Sequence, residues 1–411
     1  MKRKLITLLL VAAMSTSVMG CGNDIIIDVV KNDNTQVSSD TNTSESSSAV
    51  EEKKEVPATN PAGMQTISKE DLKIGVLYIG GEEDTSGYTY AHEIGIQGMI
   101  SNLGLASNQV VRKSYIDDAD ENAIRAALDE CISEDGCNVI IGTSWGYMEY
   151  LAEYAEEYPE IYFAHGTGYM SNGKNFTNYF GRIYQARYLS GLVAGMKTQS
   201  NKIGYVSAQG TGNSECTGGI DAFAMGVEEA NPDAKVYVAV TNSWFDPEAE
   251  QKASDYLISI DCDVLAQHVD TTAPQTSSEA NGTWSIGYNS DMSKETPNAT
   301  LTSVIWNWSA YYTSYVNSIV SATYDGKDYY GGMDQSLVSL TPLSGICEDG
   351  TNELVNEKSQ EILSGSFGVF DGVLETNTGA LVGEEGKTLD DATITGGINW
   401  YYKNVVEVNW K

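Results

Sequence analysis

From Leu72 onward the chain alternates between short apolar runs of strand length and longer stretches with helical spacing. The runs Ile74–Ile79, Val110–Ile116, Val139–Gly142, Ile161–His165 and Tyr179–Ile183 predict strands, with helices over Tyr88–Asn102, Glu121–Glu134 and Tyr147–Tyr158 between them. A long helix rich in small residues follows, from Tyr184 to about Thr198. A second series then begins. Strands are predicted at Ile203–Ala208, Val236–Val240, Val264–Val269 and Trp284–Tyr288, separated by helices at Gly219–Ala230, Pro247–Ile260 and a Ser/Ala-rich segment ending at Ala280. Pro232 and Pro247 stand where a helix stop and a first helical residue belong. Strand Leu301–Ile305, helix Ser309–Tyr324 and a return segment Ser336–Leu343 come next. A tail follows with one helix, Thr351–Ser364, and two or three short strands. Strand–helix alternation defines the α/β class with parallel sheets, and two complete series predict two similar lobes.

The stretch Lys73–Gly95 shows what the loops of such a fold offer. An apolar strand turns through Gly80 and Gly81 into a polar loop, and a helix starts at Tyr88. Ligands of open α/β sheets sit beyond the carboxyl ends of the strands. This loop carries an acid (Asp84), hydroxyls (Thr85, Ser86) and aromatic faces (Tyr88, Tyr90). The structural alternative is that Asp84 or Ser86 caps the helix and Tyr88 packs on the sheet. Five more strand-end segments share the character: Ser144–Tyr147 with Trp145, Asn242–Pro247 with Trp244, Gln267–Asp270, Asn289–Ser293 with Asp291, and Ile305–Trp308 with Trp306. Flat aromatic faces beside a few carboxylates suit a planar, hydrogen-bonding heterocycle.

Composition narrows the field. The formal charge of −33 repels phosphate backbones and argues against nucleic-acid binding. Twenty-five Tyr against seven Phe indicate wet aromatic surfaces. The N-terminus reads as a targeting segment over residues 1–20. It has basic Lys2–Lys4, an apolar run Leu5–Ala13 too short to span a bilayer, and Val18-Met19-Gly20 before Cys21. A small residue directly before Cys resembles the lipobox of bacterial lipoproteins, in which that Cys is lipidated and holds the protein to the membrane. Residues 21–66, rich in Ser, Thr, Asn and Asp, read as a flexible tether. The other five cysteines are an odd number, and Cys131 and Cys137 are close enough in sequence to bridge. With no CxxC pair and three scattered His, a zinc site is improbable, and no cofactor is expected.

Gly142-Thr143-Ser144-Trp145-Gly146 fits the G-x-S-x-G nucleophile elbow, and Asp261 or Asp263 followed by His268 satisfies the chain order of a triad. That His falls too early for a hydrolase, and a strand-end loop is the stronger reading. Gly210-Thr211-Gly212 lacks the third Gly of a dinucleotide site, where Glu215 stands.

The segment order resembles the basic membrane protein (Bmp) family of ABC-transporter substrate-binding lipoproteins, of the purine-nucleoside-receptor type, over roughly residues 72–345. The likeness is carried by Asp84 and Tyr88, by Ser243-Trp244-Phe245-Asp246-Pro247 and by Leu301-Thr302-Ser303-Val304-Ile305-Trp306. The segments Gly87–His92, Gln267–Asp270 and Ser290–Ser293 look like a subgroup linked to free purine bases. The resemblance implies a two-lobed periplasmic-binding-protein fold of type I with ligand enclosed between the lobes. Lobe 1 would comprise residues 72–183 plus about 306–330, and lobe 2 residues 184–305 plus about 331–411. It implies delivery to a membrane permease and an ATPase, no catalysis, and a monomer. By position, Tyr88 and Trp244 would stack on opposite faces of a purine, and Asp84, Ser144, Asp270 and Asp291 would take polar contacts. Trp306 stands where nucleoside-binding relatives carry a Lys that reaches the ribose, which favours a free base. A nucleoside receptor and a ligand-sensing lipoprotein remain the alternatives.

Overall fold

The computed structural model describes residues 58–411. The targeting segment, Cys21 and the tether up to residue 57 lie outside the described residues.

The first series builds β1 (Ile74–Leu77), α1 (Gly87–Leu103), β2 (Val110–Lys113), α2 (Glu121–Asp129), β3 (Val139–Gly142), α3 (Met148–Glu157), β4 (Tyr162–Gly166) and β5 (Phe176–Gly181). Every residue of β1, β3 and β4 is buried, as expected of parallel strands covered by helices on both faces. The second series builds α4 (Ile183–Lys197), β6 (Lys202–Ser207), α5 (Ser214–Ala230), β7 (Lys235–Val240), α6 (Pro247–Ser259), β8 (Val264–His268), α7 (Ala273–Asn281), β9 (Trp284–Tyr288) and β10 (Thr300–Trp306). The chain then adds α8 (Trp308–Val320), β11 (Tyr329–Gly331), β12 (Val338–Leu340), α9 (Thr351–Ser364), a hairpin of β13 (Asp371–Glu375) and β14 (Leu381–Thr388), α10 (Asp391–Gly396) and β15 (Val405–Glu407).

Two sheets result. One has the order β11-β5-β4-β3-β1-β2, the other β12-β10-β9-β8-β6-β7-β15. All pairs in both are parallel except β10–β12. The chain passes between the sheets three times, at Arg182, at Asn307 and between β11 and β12. These crossings are tied side by side. The Arg182 N–H donates to the Gly331 carbonyl at 2.6 Å, and the Asn307 N–H to that of Leu337 at 2.7 Å. After the second crossing α8 packs along α1. Gly95 of α1 leaves room for the Trp308 Cβ and backbone, and Gly98 for the Ser309 side chain, so α8 can approach closely.

Two expectations change. Residues 58–66, read as tether, pack on the first lobe: Met64 is buried, and the Asn60 side chain donates to the Tyr162 hydroxyl at 2.7 Å. Helix α2 ends at Asp129 and passes into a π-helical turn over Glu130–Glu134. Cys131 and Cys137 are both buried free thiols that crowd against Gly75 of β1.

Candidate ligand-binding site

Loops at the carboxyl ends of strands from the two sheets meet, with Gly87 after β1 against the Asp270 backbone after β8. On the first lobe, the strand-end loop after β1 is held by its own polar groups. Asp84 accepts the Gly81 N–H at 3.2 Å, and Thr89 Oγ1 accepts that of Gly80 at 3.1 Å. Ser86 stands at the N-cap of α1 without a capping hydrogen bond. Tyr88 leaves the first turn of α1 and donates its hydroxyl to the Thr143 carbonyl at the end of β3. Its ring meets His92 edge-on, with centroids 4.5 Å apart. His92 stacks on Trp308 at 4.6 Å, and Trp308 on Trp306 at 4.6 Å. His92 Nδ1 is hydrogen-bonded to the Tyr312 hydroxyl at 2.6 Å, and burial drives its pKa down to about 3, so the ring is neutral.

The stack continues into the second lobe. Trp306, 5% exposed, donates its indole N–H to the Tyr288 hydroxyl at 3.1 Å. Tyr288 meets His268 edge-on at 4.9 Å, and His268 meets Trp244 edge-on at 5.6 Å. A connected series of ring contacts, bridged between Trp306 and Tyr288 by that hydrogen bond, therefore runs from Tyr88 of one lobe to Trp244 of the other, through the second crossing.

Polar groups converge at the lobe-2 end. Asp270 donates its backbone N–H to the Trp244 carbonyl at 2.9 Å, and its carboxyl accepts the Asn289 side-chain N–H at 2.8 Å. Three consecutive strand-end loops of the second sheet are thereby linked. The first lobe closes on the same point: a Cβ added at Gly87 would stand 2.6 Å from the Asp270 carbonyl oxygen. Burial first, then the carboxylates of Glu250 and Glu215, push the Asp270 carboxyl up to about 8. Burial likewise lifts Glu215 to about 7, with the Arg187 guanidinium opposing it. Arg187 is fully buried, donates to the Gln267 carbonyl at 2.6 Å and lies 4.1 Å over the Tyr288 ring.

Of the residues singled out in the sequence, Tyr88, Trp244, Asp270 and Trp306 are thus drawn into one connected cluster. Asp84 is engaged with its own turn. Ser144 is buried and donates its hydroxyl to Asp118 rather than to an imidazole. The residues of the notional triad are not brought to it: His268 sits between Trp244 and Tyr288, and Asp263 accepts the N–H groups of Gln199 and Ser200. Trp145 is 57% exposed, and Asp291 is exposed and turns back on Ser293. Arg187, Glu215, Tyr288 and Asn289 also join the cluster, although the sequence pattern does not mark them as site residues; Asn289 lies in the Asn289–Ser293 segment, two residues before Asp291.

Two lobes on parallel sheets, tied by three crossings and meeting over an aromatic and carboxyl cluster, define a two-lobed solute-binding protein. The chain belongs to the family of PnrA-like ABC transporter substrate-binding proteins (Bmp), which it matches over residues 72–370. It is 31% identical over 338 residues to a purine-binding protein of Brucella abortus, covering 82% of this chain and 94% of that one. It is 32% identical over 298 residues to a Haloferax volcanii protein whose name assigns it, as a conjecture, to ABC-transporter glucose binding, covering 71% and 75%. A solute-binding protein of an ABC transporter system from Conexibacter woesei shares the fold at a TM-score of 0.59 and 19% identity, over 72% of this chain and 98% of that one. A transcriptional activator of the comK gene from Bacillus halodurans shares it at 0.63 and 20%, over 72% and 99%. Membership carries the family's setting: a small-molecule ligand, a permease and ATPase as partners, and an extracytoplasmic place of work. No helix among the described residues is long and apolar enough to cross a membrane.

Proposed function

We propose that this protein captures a purine base, adenine-like in its edge, for an ABC importer, and that it works from the outer face of the membrane on a lipid carried by Cys21. The observation that carries the reading is the convergence on Asp270. Gly87, the residue before Tyr88 on one lobe, lies against the Asp270 backbone, and the Trp244 carbonyl on the other lobe accepts the Asp270 N–H. An aromatic face from each lobe beside a shared polar group suits a flat heterocycle held by closure. The purine-binding name of the Brucella relative supports the same class. Trp306 favours the base over its nucleoside: its only donor is engaged on Tyr288, so it offers a ribose bulk and no hydrogen bond. On this reading Asp84, Ser144, Trp145 and Asp291 are loop residues around the cleft, and the protein acts as a monomer.

Calorimetry with adenine, adenosine, adenosine monophosphate and glucose tests it. Adenine should bind most tightly and the nucleotide most weakly among the purines, and glucose should give no heat. Trp244→Ala should weaken adenine binding about tenfold to a hundredfold, since stacking a base on an aromatic ring is worth roughly 1–3 kcal/mol. Tighter binding of adenosine restores the nucleoside receptor, and binding of glucose alone removes the purine reading.

The anchor has its own test. Two or more acyl chains on one cysteine hold a protein to a bilayer, at about 0.8 kcal/mol per buried CH₂. Cys21→Ser should move the protein from the membrane to the soluble fraction. Retention at wild-type levels overturns the lipid anchor.

A further inference from the structure

Asn289 is 3% exposed, and its side-chain oxygen has no hydrogen-bond partner, although its amide N–H is held by Asp270. A buried amide oxygen without a donor costs stability, and such a group is kept where something else supplies the donor. The residue also adopts φ of 65°, and its backbone N–H is tied to the Val304 carbonyl at 3.0 Å. The side chain is thus fixed at both ends, with the Asp270 carboxyl on one side and an unused acceptor on the other.

We propose that Asn289 and Asp270 form one recognition unit for the hydrogen-bonding edge of the ligand. The free Oδ1 of Asn289 accepts an exocyclic amino N–H, and the Asp270 carboxyl donates its O–H to the ring nitrogen beside that amino group. The assignment rests on the purine reading of the cleft and adds the edge that is read. Adenine presents an amino donor next to a ring acceptor, which is the complement of amide oxygen followed by carboxylic acid. Burial, with the carboxylates of Glu250 and Glu215 alongside, keeps the carboxyl protonated near neutrality, as the donor role requires, and the hydroxyls of Tyr88 and Tyr288 stand in the same neighbourhood. The Asn289 N–H bond to the other carboxyl oxygen fixes which oxygen faces the ligand.

The experiment compares adenine with unsubstituted purine, which has the ring nitrogens and lacks the amino group. Asn289→Gly removes the side chain and suits the left-handed backbone, so the loop keeps its shape. Asn242→Gly, at φ of 61° in the loop before Trp244, is the control for adding a glycine there. Wild-type protein should bind adenine about tenfold more tightly than purine. Asn289→Gly should erase most of that preference, weakening adenine clearly more than purine, and Asn242→Gly should preserve the preference. Equal loss of both compounds in Asn289→Gly would make Asn289 a purely structural residue and overturn the proposal. So would purine binding as tightly as adenine in the wild type. In either case the purine reading stands. Wild-type protein that binds neither compound removes that reading and the recognition unit with it.

Discussion

At the scale of single residues, the site is decided by which way a side chain leaves a strand-end loop. Asp270 shows the energetic side of that choice. Its carboxyl moves from an ordinary 3.8 to about 8, chiefly through burial, so the folded state holds a proton that the unfolded chain has lost. The folded pKa is raised. The associated stability is therefore fully present below the unfolded value and is lost as pH rises through the folded one. Asp270→Asn removes a group that must be either protonated or buried as a charge. It should raise Tm by a margin that widens from about pH 4 to about pH 8 and then levels off, as thermal melts from about pH 4 to about pH 9 would read. A margin that is flat with pH, or a lower Tm near pH 9, contradicts this account. The same scale explains what was legible. Tyr88, Trp244 and Asp270 could be chosen from sequence because each follows an apolar strand and carries chemistry. That Asn289 is buried, at a positive φ, while Asp291 lies at the surface has no mark in the sequence. Nor does sequence show that the Ser144 hydroxyl is already taken by Asp118, 26 residues earlier.

At the scale of elements, legibility followed burial. Strands covered on both faces appear in sequence as short unbroken apolar runs, and Val139–Gly142 and Trp284–Tyr288 begin and end where that pattern does. Helix α6 starts at Pro247 because Asp246 caps it, accepting the Ala249 N–H at 3.0 Å, and both signals are local. Misjudged segments depend on distant partners. Residues 58–66 have a tether's composition, yet Asn60 finds Tyr162 and the Ala62 N–H finds the Tyr324 carbonyl. β15 joins the second sheet beside β7, where Val405 pairs with Val236, 169 residues earlier in the chain, and short edge strands of this kind carry little pattern of their own. The series of ring contacts from Tyr88 to Trp244 is likewise a property of packing. It exists because Gly95 and Gly98 let α8 lie close enough for Trp308 to reach His92.

At the scale of the whole molecule, the question is what permits the two lobes to meet. Gly87, at φ of 82° on the first turn of α1, lies against the backbone of Asp270 on the other lobe. A backbone carbonyl cannot swing aside as a long side chain can, so a methyl group at Gly87 has to be accommodated by separating the lobes. Closure is an equilibrium, and a ligand held by both lobes gains affinity only to the extent that the closed form is reached. Gly87→Ala should therefore weaken adenine binding at least about tenfold, by the population argument. It should also keep the radius of gyration of the adenine-saturated protein near its unliganded value, whereas the wild type contracts. The substitution also strains a left-handed backbone, and Gly104→Ala separates the two effects. Gly104 ends the same helix at φ of 58°, and its added Cβ would meet only the Lys69 ammonium, at 3.5 Å. That variant should lose some thermal stability and still contract on adenine as the wild type does. Small-angle scattering of the three proteins, with and without adenine, reads the difference directly. If Gly87→Ala contracts as fully as Gly104→Ala, the glycine contact does not govern closure, and the lobes must meet through the side chains around Asp270 alone.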